Sequence, residues 1–260
     1  MTQAGEAAGE SDNGAVWSAL SSDYERARAR EDSLDTLVEW PAQRALLGDV
    51  VGRTILDLGC GNGGKLAELV AAGAGASVGI DVGADLVPAR RGLELVQGDL
   101  NRFEDLPELT GRTFDRILFL QSFGYATDPV AVLRAARERL TDDGFILLTR
   151  THPLRYARER AEQNGTSLGA EYYAGADFTY RAAWNDAMAL TKRTYTIADL
   201  LNIFSAAGLW VDAADEPSMS AADAARFPHK KAWMDTYLGI LIFRLRPVPG
   251  FEERAGQANA

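Results

Sequence analysis

The rhythm of hydrophobic positions changes three times along the chain. Between Ala15 and Leu47, Trp17, Leu20 and Tyr24 recur at spacings of three and four, on one face of a predicted helix. Pro41 breaks this stretch or opens a second helix. From Arg53 the apolar runs shorten. Arg53–Leu58 ends in glycines and predicts a buried strand, and Lys65–Ala72 predicts a helix with Leu66, Leu69 and Val70 apolar, stopped by Gly73. Further strands are predicted at Ser77–Asp81, Leu93–Gln97 and Phe114–Phe123, with a short helix at Ala84–Arg91.

Asp128-Pro129 supplies an N-cap and a proline at the first helical position, and Val130, Leu133, Ala136 and Leu140 form the stripe that follows. A fifth strand, Phe145–Leu148, comes after the turn Asp142-Asp143-Gly144. Strands alternating with helices in this way predict an α/β fold, a mostly parallel sheet with helices on both faces. The last third differs. Residues 153–192 are rich in aromatics and weakly periodic; Thr196–Asp199 opens a helix striped by Leu200, Leu201, Ile203 and Phe204 and ended by Gly208. Trp210–Ala213 and Leu238–Leu245 then read as strands joined by a long loop, an antiparallel pair at the sheet edge.

The expected organisation is a tail (1–13), N-terminal lid helices (14–52), a cofactor-binding core (53–152), an aromatic-rich cap that meets the substrate (153–192), a C-terminal helix with sheet-edge strands (193–250) and a second tail (251–260).

Composition narrows the function classes. The chain has 260 residues, 47% hydrophobic and 25% charged, enough for a sizeable core. A net charge of −10 argues against nucleic acid as a partner, because that needs a Lys/Arg-rich face. The basic runs Arg26–Arg30 and Arg155–Arg160 are short and interleaved with other residues. A single cysteine, Cys60, leaves no intramolecular disulfide and no Cys-based zinc site. With no signal-like N-terminus and no apolar run long enough for a membrane span, a cytoplasmic chain without a membrane partner is expected. A homo-oligomer is compatible with all of this.

The chemistry concentrates at Gly59-Cys60-Gly61-Asn62-Gly63-Gly64, which satisfies G-x-G-x-x-G. That pattern alone fits a dinucleotide site as well. Asp57, two residues ahead, decides against pyrophosphate, which a carboxylate would repel, and in favour of a cationic ligand end. Asp81 and Asp99 close the next two strands and would share one edge of a parallel sheet. Asp81 could accept ribose hydroxyls and Asp99 an adenine amino group. Both could also be ordinary strand-exit turn residues. Cys60 reads as a small turn residue.

Ile55–Gly63 resembles the first motif of class I S-adenosylmethionine-dependent methyltransferases, VLDLGCGxG; Gly79-Ile80-Asp81 and Gly98-Asp99-Leu100 resemble that family's second- and third-strand acids. Phe114–Ile117 resembles the start of its fourth strand. Leu140–Phe145 resembles the approach to its fifth, with Asp-Asp-Gly replacing the usual Pro-Gly-Gly. The segments Tyr195–Trp210 and His152-Pro153 look like its small-molecule members. The resemblance implies a Rossmann-like seven-stranded sheet of order 3-2-1-4-5-7-6 with strand 7 antiparallel. It implies S-adenosyl-L-methionine as cofactor, held by Tyr24, Asp57, Gly59, Cys60, Gly61, Gly63, Asp81, Val82, Asp99, Leu100 and Gln121. The expected reaction is methyl transfer to a hydroxyl, amine or carbon nucleophile of a small molecule, a secondary metabolite in particular.

His152 is the candidate general base, with loop orientation as its plainer alternative. Trp17, Phe123, Tyr125, Tyr172, Tyr173, Phe178, Tyr180 and Trp184 are candidates for the acceptor's walls; the last five could equally form the cap's own core, and Trp17 the packing face of an amphipathic helix. No Asp/Asn cluster at ligand spacing follows strands four and five, so no metal is expected. Two other readings stay open: a protein that binds the cofactor without transferring methyl, and a nicotinamide-dependent oxidoreductase on the same type of sheet.

Overall fold

A computed structural model describes residues 13–83, 86–88, 90–175, 177–182 and 185–251. Apart from Asn13 and Phe251, the two expected tails lie outside the described residues, as does Trp184.

The described residues begin with α1 (Asn13–Arg28), a single π-helical turn (Asp35–Glu39) and α2 (Trp40–Leu47), Pro41 standing in the first turn of α2. The alternating region follows as β1 (Ile55–Leu58), α3 (Gly64–Ala71), β2 (Ser77–Asp81), β3 (Leu93–Gln97), β4 (Phe114–Leu120), α4 (Pro129–Glu138) and β5 (Leu140–Thr151). A helical pair, α5 (Pro153–Asn164) and α6 (Leu168–Tyr173), then leads into a separate hairpin of β6 (Asp177–Ala182) and β7 (Asn185–Arg193). The chain returns through α7 (Ile197–Ala206), β8 (Leu209–Asp215), α8 (Ala221–Arg226), α9 (Pro228–Tyr237) and β9 (Ile240–Pro247).

The main sheet runs β3-β2-β1-β4-β5-β9-β8, with β9 antiparallel to both β5 and β8. With the β6–β7 hairpin left out of the count, this is the expected order 3-2-1-4-5-7-6. Alternation within the strands divides the core between two faces. Leu56, Leu58, Ile117, Phe119, Ile146 and Leu148 pack with Phe204 and Phe243 on one side. Ile55, Leu118, Phe145 and Leu147 pack with Leu47, Leu66 and Leu69 on the other.

Local signals hold where their chemistry is explicit. Asp128 accepts from the Ala131 N–H at 2.9 Å and caps α4. Thr196 and Asp199 form a reciprocal capping box at 3.0 and 2.9 Å that starts α7. Leu200 and Phe204 are buried, whereas Leu201 of the expected stripe faces outward.

Four expectations change. Residues 86–88 of the expected helix Ala84–Arg91 are not helical, and Arg90 bridges back to Leu93. β4 stops at Leu120 because Gln121 takes φ +71°, which turns the chain out of the sheet. β5 begins at Leu140, ahead of the predicted turn, with a register shift opposite Phe114–Arg116. The segment between the last two strands holds helices α8 and α9 instead of a loop. Ser220 caps the first by accepting from Asp223 N–H at 3.1 Å, and Pro228 opens the second. Among the described residues, no helix is long and apolar enough to cross a membrane.

Candidate active site

The site grows from the exit of β1. Gly59, Gly61 and Gly63 adopt φ of +80°, +60° and +82°, values open to glycine at little cost. The Gly59 and Cys60 N–H groups both donate to Ile80 O, at 2.8 and 3.0 Å, tying the turn to the end of β2. Gly63 serves packing: it caps α3, and a Cβ there would press on Leu95 Cδ1 at 2.7 Å.

Above this edge lies a cavity of about 1700 Å3. Asp57, Gly59, Cys60, Gly61, Asp81, Val82, Asp99, Leu100 and Gln121 all line it; of the sheet-borne cofactor candidates, only Gly63 stays outside. Tyr24, Trp17, Tyr125 and Tyr180 line it as well. Its far wall comes from α1 and the β6–β7 hairpin, which pack on each other.

Asp57 is 2% exposed and its Oδ1 has no hydrogen-bond partner. Burial pushes its carboxyl up to about 7; Lys65 opposes this, Asp81 adds to it and Arg28 opposes it. A buried, unpaired carboxylate oxygen is costly unless something arrives to pair with it. Asp81 is already oriented, Oδ2 accepting from Gly61 N–H and Oδ1 from Gly83 N–H, both at 2.8 Å. Burial raises its carboxyl while these two N–H groups lower it. Asp99 is exposed, and its Oδ1 accepts from both the backbone and the side-chain nitrogen of Asn101 at 2.9 Å.

Several members of the site carry no signal in the sequence. Asn101 ties β3 to the turn after β4, donating to Tyr125 O at 3.1 Å and accepting from Thr127 N–H at 2.7 Å. Ser122 donates to Leu58 O under Gly59. Beneath α1, Lys65 Nζ pairs with Asp35 at 2.6 Å and donates to Gln43 Oε1 at 3.0 Å. Glu39 is half-buried; its burial raises its carboxyl, and it accepts from Gln121 Nε2 at 3.3 Å. Arg28 pairs with Glu25 at 2.9 Å and with Asp35 at 3.5 Å. From sequence, these residues look like ordinary charges on a solvated helix face. Lys192 of β7 also lines the cavity and lies in no recognisable pattern.

The structure places other candidates elsewhere. His152 does not line the cavity. It is 3% exposed and caps α5, its Nδ1 accepting from Leu154 N–H at 3.1 Å while Nε2 stands 2.9 Å from Glu216 Oε1. Both ring nitrogens are thus engaged, and the residue before Pro153 serves as an N-cap. We expect His152→Ala to lower stability by about 1 kcal/mol, as lost caps do, and to leave turnover per folded molecule intact; urea denaturation beside initial rates checks both.

Phe123 is fully buried against Phe119 and Tyr195, because the turn at Gln121 sends it into the core. Phe178 is buried between Tyr156 and Tyr180. Tyr172 uses its hydroxyl to accept from Ile197 N–H at 3.0 Å, and Tyr173 is 80% exposed. Neither lines the cavity. Burial raises the Cys60 thiol, so it stays neutral, as befits a turn residue. Among the described residues, no group of three or more His, Cys, Asp or Glu is placed to hold a metal ion.

Comparison with known proteins agrees with this geometry. Residues 24–214 match the family described as a methyltransferase domain. Similar curated proteins include an uncharacterised protein of Haemophilus influenzae, 28% identical over 148 residues, 54% of this chain and 58% of that one. Another is a ubiquinone biosynthesis O-methyltransferase of Neisseria meningitidis, 32% identical over 108 residues, 39% of this chain and 45% of that one. The chain spans about half the length of these relatives. Among solved structures, an S-adenosylmethionine-dependent methyltransferase of Mesorhizobium loti shares the fold with a TM-score of 0.61 at 20% identity, covering 80% of this chain and 97% of its own. The chain therefore belongs to the methyltransferase-domain family, and the cofactor of that family is S-adenosylmethionine.

Proposed function

We propose that this chain transfers the methyl group of S-adenosylmethionine to a hydroxyl, amine or carbon nucleophile of a small molecule, as in secondary metabolism. One observation carries the cofactor half of the reading: a buried carboxylate oxygen on Asp57, unpartnered, beside a glycine turn whose backbone is bonded to Asp81. The donor is cationic at its amino-acid end and bears ribose hydroxyls, and these two acids fit those groups. Asp57 would meet the ammonium. Asp81 keeps free lone pairs for the ribose, and Asp99 and Leu100 would border the adenine. Tyr24 and the Arg28 guanidinium stand on α1 for the cofactor's carboxylate, Tyr24 held un-ionised by burial with its hydroxyl pushed up to about 12.

When bound, the cofactor supplies a methyl group already activated by its sulfonium. The protein's own contribution is then placement, worth up to about 7–11 kcal/mol where two reactants are held at contact. The Gln121 backbone is fixed against Thr149 O at 2.9 Å, and its side chain lies between Glu39 and Thr151. A backbone strained at φ +71° beside the cavity is consistent with a residue positioned for binding. Trp17, Tyr125 and Tyr180 would wall off water from the acceptor. A half-open cavity larger than a usual ligand pocket of about 300–1,000 Å3 has room for a nucleoside and a second small molecule.

Incubating the purified protein with S-adenosylmethionine and metabolite pools, followed by mass spectrometry, tests the reading. The expected product is a metabolite carrying one methyl in place of a proton, with stoichiometric S-adenosylhomocysteine. Methylated RNA or protein without a methylated metabolite would sink the small-molecule claim.

A further inference from the structure

The cavity is electrically divided. Its sheet edge carries the acids Asp57, Asp81 and Asp99, while on the far wall the carboxylates Glu25 and Asp177 are paired with Arg28 and Arg193 and leave one ammonium without an acid. Lys192 is the centre of that wall. It is 8% exposed, its stem packs over Gly124, and its Nζ lies 5.2 Å from the Tyr125 ring centre and 5.9 Å from that of Tyr180. No carboxylate pairs with it among the described residues.

The other cations of the cavity are already matched. Arg28 pairs with Glu25, Arg155 with Glu159, Arg193 with Asp177 and Lys230 with Asp32. Burial acts to discharge Lys192, and the faces of the Tyr125 and Tyr180 rings, within cation–π reach, oppose it.

Two further donors beside it are unfilled. The Tyr125 hydroxyl and the Trp17 indole N–H are both buried without a well-formed hydrogen bond; the indole N–H reaches toward the Tyr125 oxygen, their rings 6.1 Å apart, and leaves the hydroxyl proton free to donate. Ammonium and indole N–H have no acceptor capacity at all. Three convergent buried groups, one charged and two of them unable to accept, are complementary to an anionic oxygen group. A neutral carbonyl oxygen could also accept from these donors, but only an anion balances the buried ammonium charge as well.

We propose that Lys192, Tyr125 and Trp17 form an oxyanion-binding subsite, so that the methyl acceptor carries a carboxylate or a phosphate-type group. This rests on the methyltransferase reading of the same cavity, and it adds specificity: the anion anchors one end of the acceptor and leaves its nucleophile to face the donor. Lys192 here is a binding and positioning residue, not a base.

The test uses protein saturated with S-adenosylhomocysteine and three probes of one shape: benzoate, phenyl phosphate and benzamide. Benzoate or phenyl phosphate should bind at least tenfold more tightly than benzamide, and the preferred anion tells planar from tetrahedral recognition. Lys192→Met should erase that preference, Lys192→Arg should retain most of it, and both should bind S-adenosylhomocysteine within about twofold of wild type. Equal binding, or no binding, of anion and amide overturns the subsite. So does a Lys192→Met protein that loses S-adenosylhomocysteine, since Lys192 would then serve the cofactor's own carboxylate. Failure of the wild type to bind S-adenosylhomocysteine would instead bring down the methyltransferase reading on which the subsite rests.

Discussion

Gly59→Ala is expected to lower folding stability by several kcal/mol and to abolish binding of S-adenosylhomocysteine in whatever fraction stays folded. Two costs combine. At φ +80° an alanine is in the left-handed region, which costs about 1–2 kcal/mol. Its Cβ would also overlap Ser122 Cβ and stand 3.0 Å from Ser122 Oγ. Overpacking of that kind costs about 1–3 kcal/mol more. Ser122 cannot step aside easily, because its hydroxyl is bonded to Leu58 O and the neighbouring Gln121 N–H to Thr149 O. Gly165 is the control: at φ +65° and ψ +32° it lies in the left-handed region, and a Cβ there would meet nothing within 4 Å, so Gly165→Ala carries the dihedral cost alone. Urea midpoints for the two variants separate strain from collision, and equal losses would show that the close approach at Gly59 does not matter.

The second large effect is a pH dependence of cofactor binding set by Asp57. Its carboxyl is pushed up to about 7 by burial, against an ordinary value of 3.8. For folding, the sign follows from a native value above the unfolded one: the stability associated with the neutral carboxyl is full below about 3.8 and is lost as pH rises through about 7. For an ammonium ligand the sign is opposite, because the ionised carboxylate is the form that pairs with it. Affinity for S-adenosylhomocysteine should thus rise up to about tenfold per pH unit below 7 and level off above it. It should fall again only at higher pH, because the ligand's α-amino group stands beside a free carboxylate and keeps its proton well above the peptide-terminal range of about 7.7–8.0. Asp57→Asn should flatten the acidic limb and weaken binding at pH 7.5 by about ten- to a hundredfold, as expected for losing one charge-assisted hydrogen bond of about 1.5–3 kcal/mol. Calorimetric titrations from pH 5.5 to 8.5 give both readouts. An acidic limb that survives in Asp57→Asn would assign it to another group.

The parts of this site legible in the sequence are those whose chemistry is written locally. Asp57, Gly59, Gly61 and Asp81 fall at strand ends in a parallel sheet, so strand register alone brings them to one edge. Capping residues such as Asp128 and Thr196 likewise act on their own next turn. Side-chain direction is a different matter. The position of His152 after β5 suggests a base, but a residue just past a strand can point either way, and here the need to cap α5 turns its ring from the cavity. Phe123 and Tyr125 both follow β4, and the left-handed residue at Gln121 sends one into the core and the other into the cavity. Lys192 is invisible in the sequence because its role depends on a hairpin folding back on α1, a contact between segments about 170 residues apart in the chain. Helices α8 and α9 carry their own start signals, Ser220 with Asp223 and Pro228, but their apolar residues are too few to stand out against a loop.

The central claim is that the glycine turn and its acids hold S-adenosylmethionine, its ammonium and its nucleoside, and not a dinucleotide. Titration calorimetry of the purified protein with S-adenosylhomocysteine, and separately with NAD, tests this most directly. One-to-one binding of S-adenosylhomocysteine that Asp81→Ala removes, with no heat from NAD at the same concentrations, is the predicted result. Saturable binding of NAD, with none of S-adenosylhomocysteine, would contradict it.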